Sequence, residues 1–142
     1  MPPMPVRESP PVNPLIKAVE TDRAPLPAGH YSQAVVHGGL VYISGQLPVV
    51  PRQPGQEILQ LEAQVRQVLA NLNAILKAAG SGREHVLKVT VYVADIASWP
   101  EVNRIYGEFF GPHRPARAIV PTRELHFGYQ VEMDAIAAVT SA

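Results

Sequence analysis

Between residues 61 and 79 the apolar side chains return every three or four positions: Leu61, Val65, Val68, Leu69, Leu72, Ile75, Leu76 and Ala79, with Gln, Arg, Asn and Lys between them. That is the period of an α-helix carrying one apolar stripe, and such a stripe has to be buried against a second element. Gly80 and Gly82 supply the stop, because a residue without a Cβ enters the left-handed region at no steric cost. Immediately afterwards the period falls to two. Leu87, Val89, Val91 and Val93 alternate with Lys88, Thr90 and Tyr92, which places the two sets on opposite faces of a strand. The apolar face of that strand is expected to meet the helix.

The remaining segments repeat the two patterns. Ser98 followed three residues later by Glu101 reads as a capping box, with Pro100 tolerated in the first turn. Val102, Ile105, Tyr106, Phe109 and Phe110 then form the stripe of a second helix that ends at Gly111-Pro112. Strands are expected at 32–37 and 40–44, joined by Gly38-Gly39 as a two-residue hairpin turn, and again at 116–120. In a last strand Val131, Met133, Ala135, Ala137 and Val139 share a face. Leu15, Ile16, Ala18 and Val19 are compatible with one extra leading strand, and the Pro- and Gly-bearing stretches 23–29 and 48–55 read as loops. The order ββαβαββ argues for an α+β domain, one mixed sheet with two helices on a single face. Lys88, Thr90, Tyr92, Gln130, Glu132 and Asp134 would then point away from the helices. They are too polar for a second core, so an interface between subunits is expected to cover them.

Composition narrows the function classes. The 142 residues amount to one domain. Twelve Lys+Arg balance twelve Asp+Glu, and this neutrality argues against nucleic acid or an anionic membrane as a partner. The absence of Cys excludes disulfides, thiolate metal sites and a cysteine nucleophile. No apolar run approaches the length of a membrane helix, and MPPMPVRESPPVNP lacks the apolar core of a signal peptide, so a soluble cytoplasmic protein is expected. Of fifteen Pro, eight lie in the first 27 residues (Pro2, Pro3, Pro5, Pro10, Pro11, Pro14, Pro25, Pro27). Residues 1–14 therefore read as a flexible or polyproline-like arm, and residues 15–142 as the domain. The spacings Pro2/Pro5 and Pro11/Pro14 leave a PxxP-type ligand as the alternative reading of the arm.

Few residues advertise chemistry. There is no Gly-rich phosphate loop, GxSxG elbow or HExxH, and His30, His37, His85, His113 and His126 do not share metal-ligand spacing. No metal site is expected. Arg117 stands out inside the otherwise apolar strand 116–120, where it must be paired or face a cleft. Glu132, the polar position in the apolar VEM of the last strand, is its natural partner. One reading is a structural salt bridge between neighbouring strands. The other is a substrate site, in which Arg117 grips a carboxylate through its planar fork and Glu132 positions or deprotonates a water.

Seven motifs, in order, carry a resemblance: GHYSQA (29–34), VYISGQLP (41–48), ILKAAG (75–80), VTVYVAD (89–95), VNRIYGEFF (102–110), RPAR (114–117) and VEMDAIA (131–137). From about residue 24 to 139 the chain closely resembles the RidA/YjgF family of reactive-intermediate, or enamine/imine, deaminases. The resemblance implies a chorismate-mutase-like fold assembled as a homotrimer, the three sheets forming a barrel with the helices outside and the sites in clefts between subunits. It implies that Arg117 binds the substrate carboxylate and that Glu132 lies near the reacting water. Tyr31 and Ser44 would line the pocket, Asn103 would support it, and the main chain near Ile119 would help orient the water. The implied reaction is cofactor-free hydrolysis of a 2-imino acid to a 2-keto acid and ammonia. A trimer that holds a keto acid without turnover is the alternative, and a ribonuclease activity fits poorly with zero net charge. The chain departs from the family pattern at His30, where Pro is common, at Ala118, where many members have Ser, and at Ile119, where some have Cys. The loop ELHFGYQ (124–130) departs too. In it His126, Phe127 and Tyr129 would narrow or re-specify the cleft, unless Phe127 simply packs.

Overall fold

Alternating and helical patterns resolve, in the computed structural model, into strands β1 (Lys17–Val19), β2 (Ala34–His37), β3 (Leu40–Gln46), β4 (Val86–Val93), β5 (Ala116–Pro121) and β6 (Val131–Ala138), with helices α1 (Leu61–Ala78) and α2 (Trp99–Phe110). The structure describes residues 13–53 and 59–140. The strands make one sheet in the order β1-β2-β3-β6-β4-β5. Every pairing is antiparallel except β4 with β5, whose parallel register needs the α2 crossover between them. The expected α+β arrangement, a mixed sheet with both helices on one face, is what the chain adopts.

Local chemistry explains the boundaries. Gly38 and Gly39 have φ of 60° and 79°, the left-handed pair a two-residue hairpin requires. At the end of α1, Gly80 takes φ 77°, its N–H donates to the Lys77 carbonyl (3.1 Å), and the Ser81 N–H reaches back to the Leu76 carbonyl (2.8 Å). This double closure satisfies carbonyls that the helix leaves unpaired. The stripe of α1 (Val65, Val68, Leu72, Ile75) and that of α2 (Val102, Ile105) are buried against Val89, Val91, Val93, Val131, Met133, Ala135 and Ala137. Each of the Val, Leu, Ile and Met side chains among them contributes roughly 1.5–3 kcal/mol by leaving water.

Three expectations need correction. Leu87 is 48% exposed while Val86 is 1% exposed, because the ladder with β6 shifts register between Val86 and Lys88 and the true alternation starts at Val89. The capping box does not form. Ser98 has helical dihedrals and its hydroxyl donates to the Asp95 carbonyl (2.7 Å), and Asp95 Oδ1 caps the preceding turn by accepting from the Ala97 N–H (2.9 Å). Gln130 leaves the polar face: its N–H donates to Gln64 Oε1 (2.9 Å) and its Oε1 accepts from Gln64 Nε2 (3.4 Å). On that face Tyr92 does donate its hydroxyl to Asp134 Oδ2 (2.9 Å).

Most of the Pro-rich arm lies outside the described residues, as do residues 54 and 55 of the 48–55 loop. From Asn13 the chain forms a turn, Asn13 Oδ1 accepting from the Leu15 N–H (2.9 Å), that feeds β1. Among the described residues no helix is long and apolar enough to cross a membrane.

Candidate functional site

Arg117 sits on the edge strand β5 in register with core-facing Val89, so it projects toward the helix side of the sheet. There α2 presents Trp99, Asn103 and Tyr106, spaced four and three residues apart on one helical face. The guanidinium lies 4.6 Å from the Trp99 ring and 4.9 Å from the Tyr106 ring, and Nη1 donates to Asn103 Oδ1 (2.9 Å). Stacking on aromatic faces holds a guanidinium flat without consuming its donors. Among the described residues Arg117 has no carboxylate partner. It opens onto a cavity of about 550 Å³ that Asn103, Tyr106, His113 and Arg114 also line. Burial pushes the Tyr106 hydroxyl above its ordinary pKa, and that oxygen has no partner among the described residues.

Glu132 is elsewhere. Strand β4 lies between β5 and β6, so a salt bridge between neighbouring strands, the first reading of Arg117 and Glu132, does not exist. Glu132 pairs with Tyr92 across β4 and faces away from the helices. Its carboxyl fits into a defect in β3: the ladder to β6 is irregular between Ile43 and Gln46, and a Cβ at Gly45 would overlap Glu132 Oε1. A side chain at position 45 would have to displace the flexible end of Glu132. Burial pushes the Glu132 carboxyl above the usual carboxylate range, Asp134 adds to this, and His126 opposes it.

Tyr31 and Ser44 accompany Glu132. The Ser44 hydroxyl donates to the Ser32 carbonyl (2.6 Å) and its N–H to the Gln33 carbonyl (2.9 Å), which ties the irregular part of β3 to the 31–33 segment. Tyr31 is half-exposed, and its hydroxyl accepts from the Ala28 N–H (3.3 Å). Tyr31 and Gly45 line a second cavity, about 600 Å³, with Phe127 and Tyr129. Phe127 is 70% exposed, so it edges this cavity and does not pack in the core. Ile119 stays with Arg117, two residues along β5 and half-buried. The structure thus gathers the expected residues into two groups, Arg117, Asn103 and Ile119 at the β5 edge, and Tyr31, Ser44 and Glu132 across the sheet.

Sequence reasoning missed Trp99 and Tyr106 as the cradle of Arg117, although their spacing with Asn103 was visible. It also missed the buried carboxamides that hold the loops. Asn71 Nδ2 donates to the Leu47 and Val49 carbonyls (3.1 and 2.9 Å), and Gln64 Nε2 donates to the Leu59 carbonyl (2.7 Å). Amides on the apolar side of α1 were the available signal.

A family model described as Endoribonuclease L-PSP matches residues 21–139. A RutC family protein of Pyrococcus horikoshii is 40% identical over 121 residues, covering 85% of this chain and 96% of its own. Reactive Intermediate Deaminase A, chloroplastic, of Arabidopsis thaliana is 36% identical over 121 residues, covering 85% of this chain and 65% of its own. The crystal structure of E. coli TdcF with bound serine matches with a TM-score of 0.82 at 36% identity, over 87% of this chain and 99% of that one. A match that runs from before β2 to the end of β6, with the same fold in relatives of this identity, shows that the chain belongs to the RidA/YjgF family, the Endoribonuclease L-PSP group.

Proposed function

We propose that the chain is a hydrolytic deaminase of reactive 2-imino (enamine) acids, working at clefts between the protomers of a homotrimer and needing no cofactor. The observation that carries the reading is Arg117: a guanidinium clamped by Asn103 and two rings, without a carboxylate partner among the described residues, and open to a cavity. That is a ready fork for a substrate carboxylate. A relative named for reactive-intermediate deamination and a neighbour holding serine, an amino acid, support it.

The chemistry asks mainly for placement. Water adds its oxygen to the imine carbon, giving a carbinolamine; the C–N bond then breaks, ammonia leaves, and the carbonyl of the 2-keto acid remains. Gripping the carboxylate beside a held water supplies orientation. Glu132, with proton affinity raised by burial, is suited to accept the water's proton, and the Ile119 main chain to orient the water. Because Arg117 and Glu132 lie on different strands and opposite faces of one protomer, a site using both takes Arg117 and Asn103 from one subunit and Tyr31, Ser44 and Glu132 from the next.

The test is to generate 2-iminobutyrate or 2-iminopropionate in situ and follow keto-acid release. Wild-type protein is expected to accelerate release, and Arg117→Ala to lose roughly 100-fold or more in kcat/KM. No acceleration, with keto acid still bound, would leave a binding trimer. Acceleration undiminished in Arg117→Ala would remove the clamp, and a monomeric mass by light scattering would remove the shared cleft.

A further inference from the structure

The 600 Å³ cavity beside Glu132 is far larger than a three-carbon imino acid needs. It falls in the range, roughly 300–1,000 Å³, that encloses whole drug-sized ligands. Its walls are mostly apolar: Pro25, Leu26, Leu47, Val49, Phe127 and Tyr129. Much of the polar side-chain capacity that borders it is spent on building it. Gln33 Oε1 accepts from the Thr21 N–H (2.8 Å) and Gln33 Nε2 donates to the Thr21 and Pro25 carbonyls (2.9 and 2.8 Å). Gln46 Nε2 donates to the Ser44 carbonyl (3.0 Å), and the Tyr31 hydroxyl is engaged by Ala28. A side chain entering here leaves water and meets mostly methyl groups and rings, which favours an apolar one.

Two further observations tie this space to the reaction. Gly45 lines the cavity, and the Glu132 carboxyl fills the position that a Cβ at Gly45 would take. At the mouth, Phe127 holds φ 61°, a left-handed backbone unusual for a bulky residue, with its ring edge-on to Tyr129 at 6.1 Å. Strain kept at such a place is typical of a site that must aim a side chain.

We infer that this cavity receives the substrate's side chain, and that the chain acts best on 2-imino acids with bulky apolar side chains, those derived from leucine, methionine or phenylalanine, in preference to the alanine-derived one. The inference rests on the deaminase reading. Its experiment uses an L-amino-acid oxidase to generate the four imino acids and compares keto-acid release with and without the protein. The enzymatic kcat/KM is expected to be about 10-fold or more higher for the leucine- and phenylalanine-derived substrates than for the alanine-derived one. Ala28→Phe, at an exposed position lining the cavity, fills it and should bring that ratio toward one. Phe127→Ala, exposed and outside the core, should lower the rate on the bulky substrates more than on the alanine-derived one and so reduce the ratio. Equal or greater acceleration of the alanine-derived imine overturns the inference and leaves the deaminase reading standing. Acceleration of none of the four overturns both. A ratio unmoved in the two variants overturns the assignment of this cavity.

Discussion

Around Arg117 everything is regular, and around Glu132 almost nothing is. The guanidinium is fixed by three side chains from one face of α2, a helix packed on the core through Val102 and Ile105 and joined to α1 by the Arg66–Glu108 and Arg104–Glu62 ion pairs (3.1 and 3.6 Å). The carboxyl lies against an irregularity in β3 and one glycine, and the loop that follows β3 is held by a buried amide. On the deaminase proposal, the difference matches what each group would have to do. A carboxylate grip works through a permanent charge whose fork must stay flat, and rings give that flatness while water still reaches the donors. A group that takes a proton from water needs its affinity raised, which requires desolvation, and a strand defect lets a carboxyl sink into the sheet surface.

The contrast is sharpest if the halves fail differently. Arg117→Ala should cost the most, the roughly 100-fold or greater loss in kcat/KM already given, expressed strongly in KM. Glu132→Gln should come next, lowering kcat by about 10²-fold with KM little changed. The pH profile separates them further. Glu132 binds its proton more tightly when folded than unfolded, so activity that needs the ionised form should fall on an acidic limb above the ordinary glutamate pKa of about 4.3. That limb should vanish in Glu132→Gln and persist in the residual activity of Arg117→Ala. The stability contribution has the same origin: it is present below the unfolded pKa and lost as pH rises through the raised folded pKa, so Glu132→Gln should flatten stability over that window, as read by thermal melts. Gly45→Ala is gentler. The new methyl meets the flexible end of Glu132, so the melt should barely move while kcat falls about 10-fold as the carboxyl is displaced.

The same contrast decides what was legible in the sequence. Helix α1, the hairpin at Gly38-Gly39 and the β6 alternation rest on local periods and φ preferences, and each appears in the structure where the pattern put it. The motifs marked Arg117 and Glu132 individually. Their separation was hidden, because strand order is nonlocal and no pattern within β5 or β6 reveals that β4 runs between them. Leu87 was misplaced for a related reason: a register shift inverts the face without changing the composition of the strand. Gly45 looked like one more glycine in VYISGQLP, since only the pairing of β3 with β6 shows what would occupy its Cβ.

The smallest effect tests the regular half alone. Trp99 touches no proposed substrate atom; it acts on Arg117 through the face of its ring, 4.6 Å away. A cation–π contact at an exposed site is worth about 0.5–1 kcal/mol, so Trp99→Leu should raise KM roughly 2- to 5-fold and leave kcat and the Glu132 limb in place. Trp99 also packs against the core, so lost stability alone could imitate a weak defect. Trp99→Phe separates the two explanations, because it restores a ring face while still removing volume. If KM recovers in Trp99→Phe while the melting temperature stays lowered, the ring is positioning the guanidinium. If KM follows melting temperature across both variants, the Trp99 ring is packing only, and Asn103 and Tyr106 aim the fork.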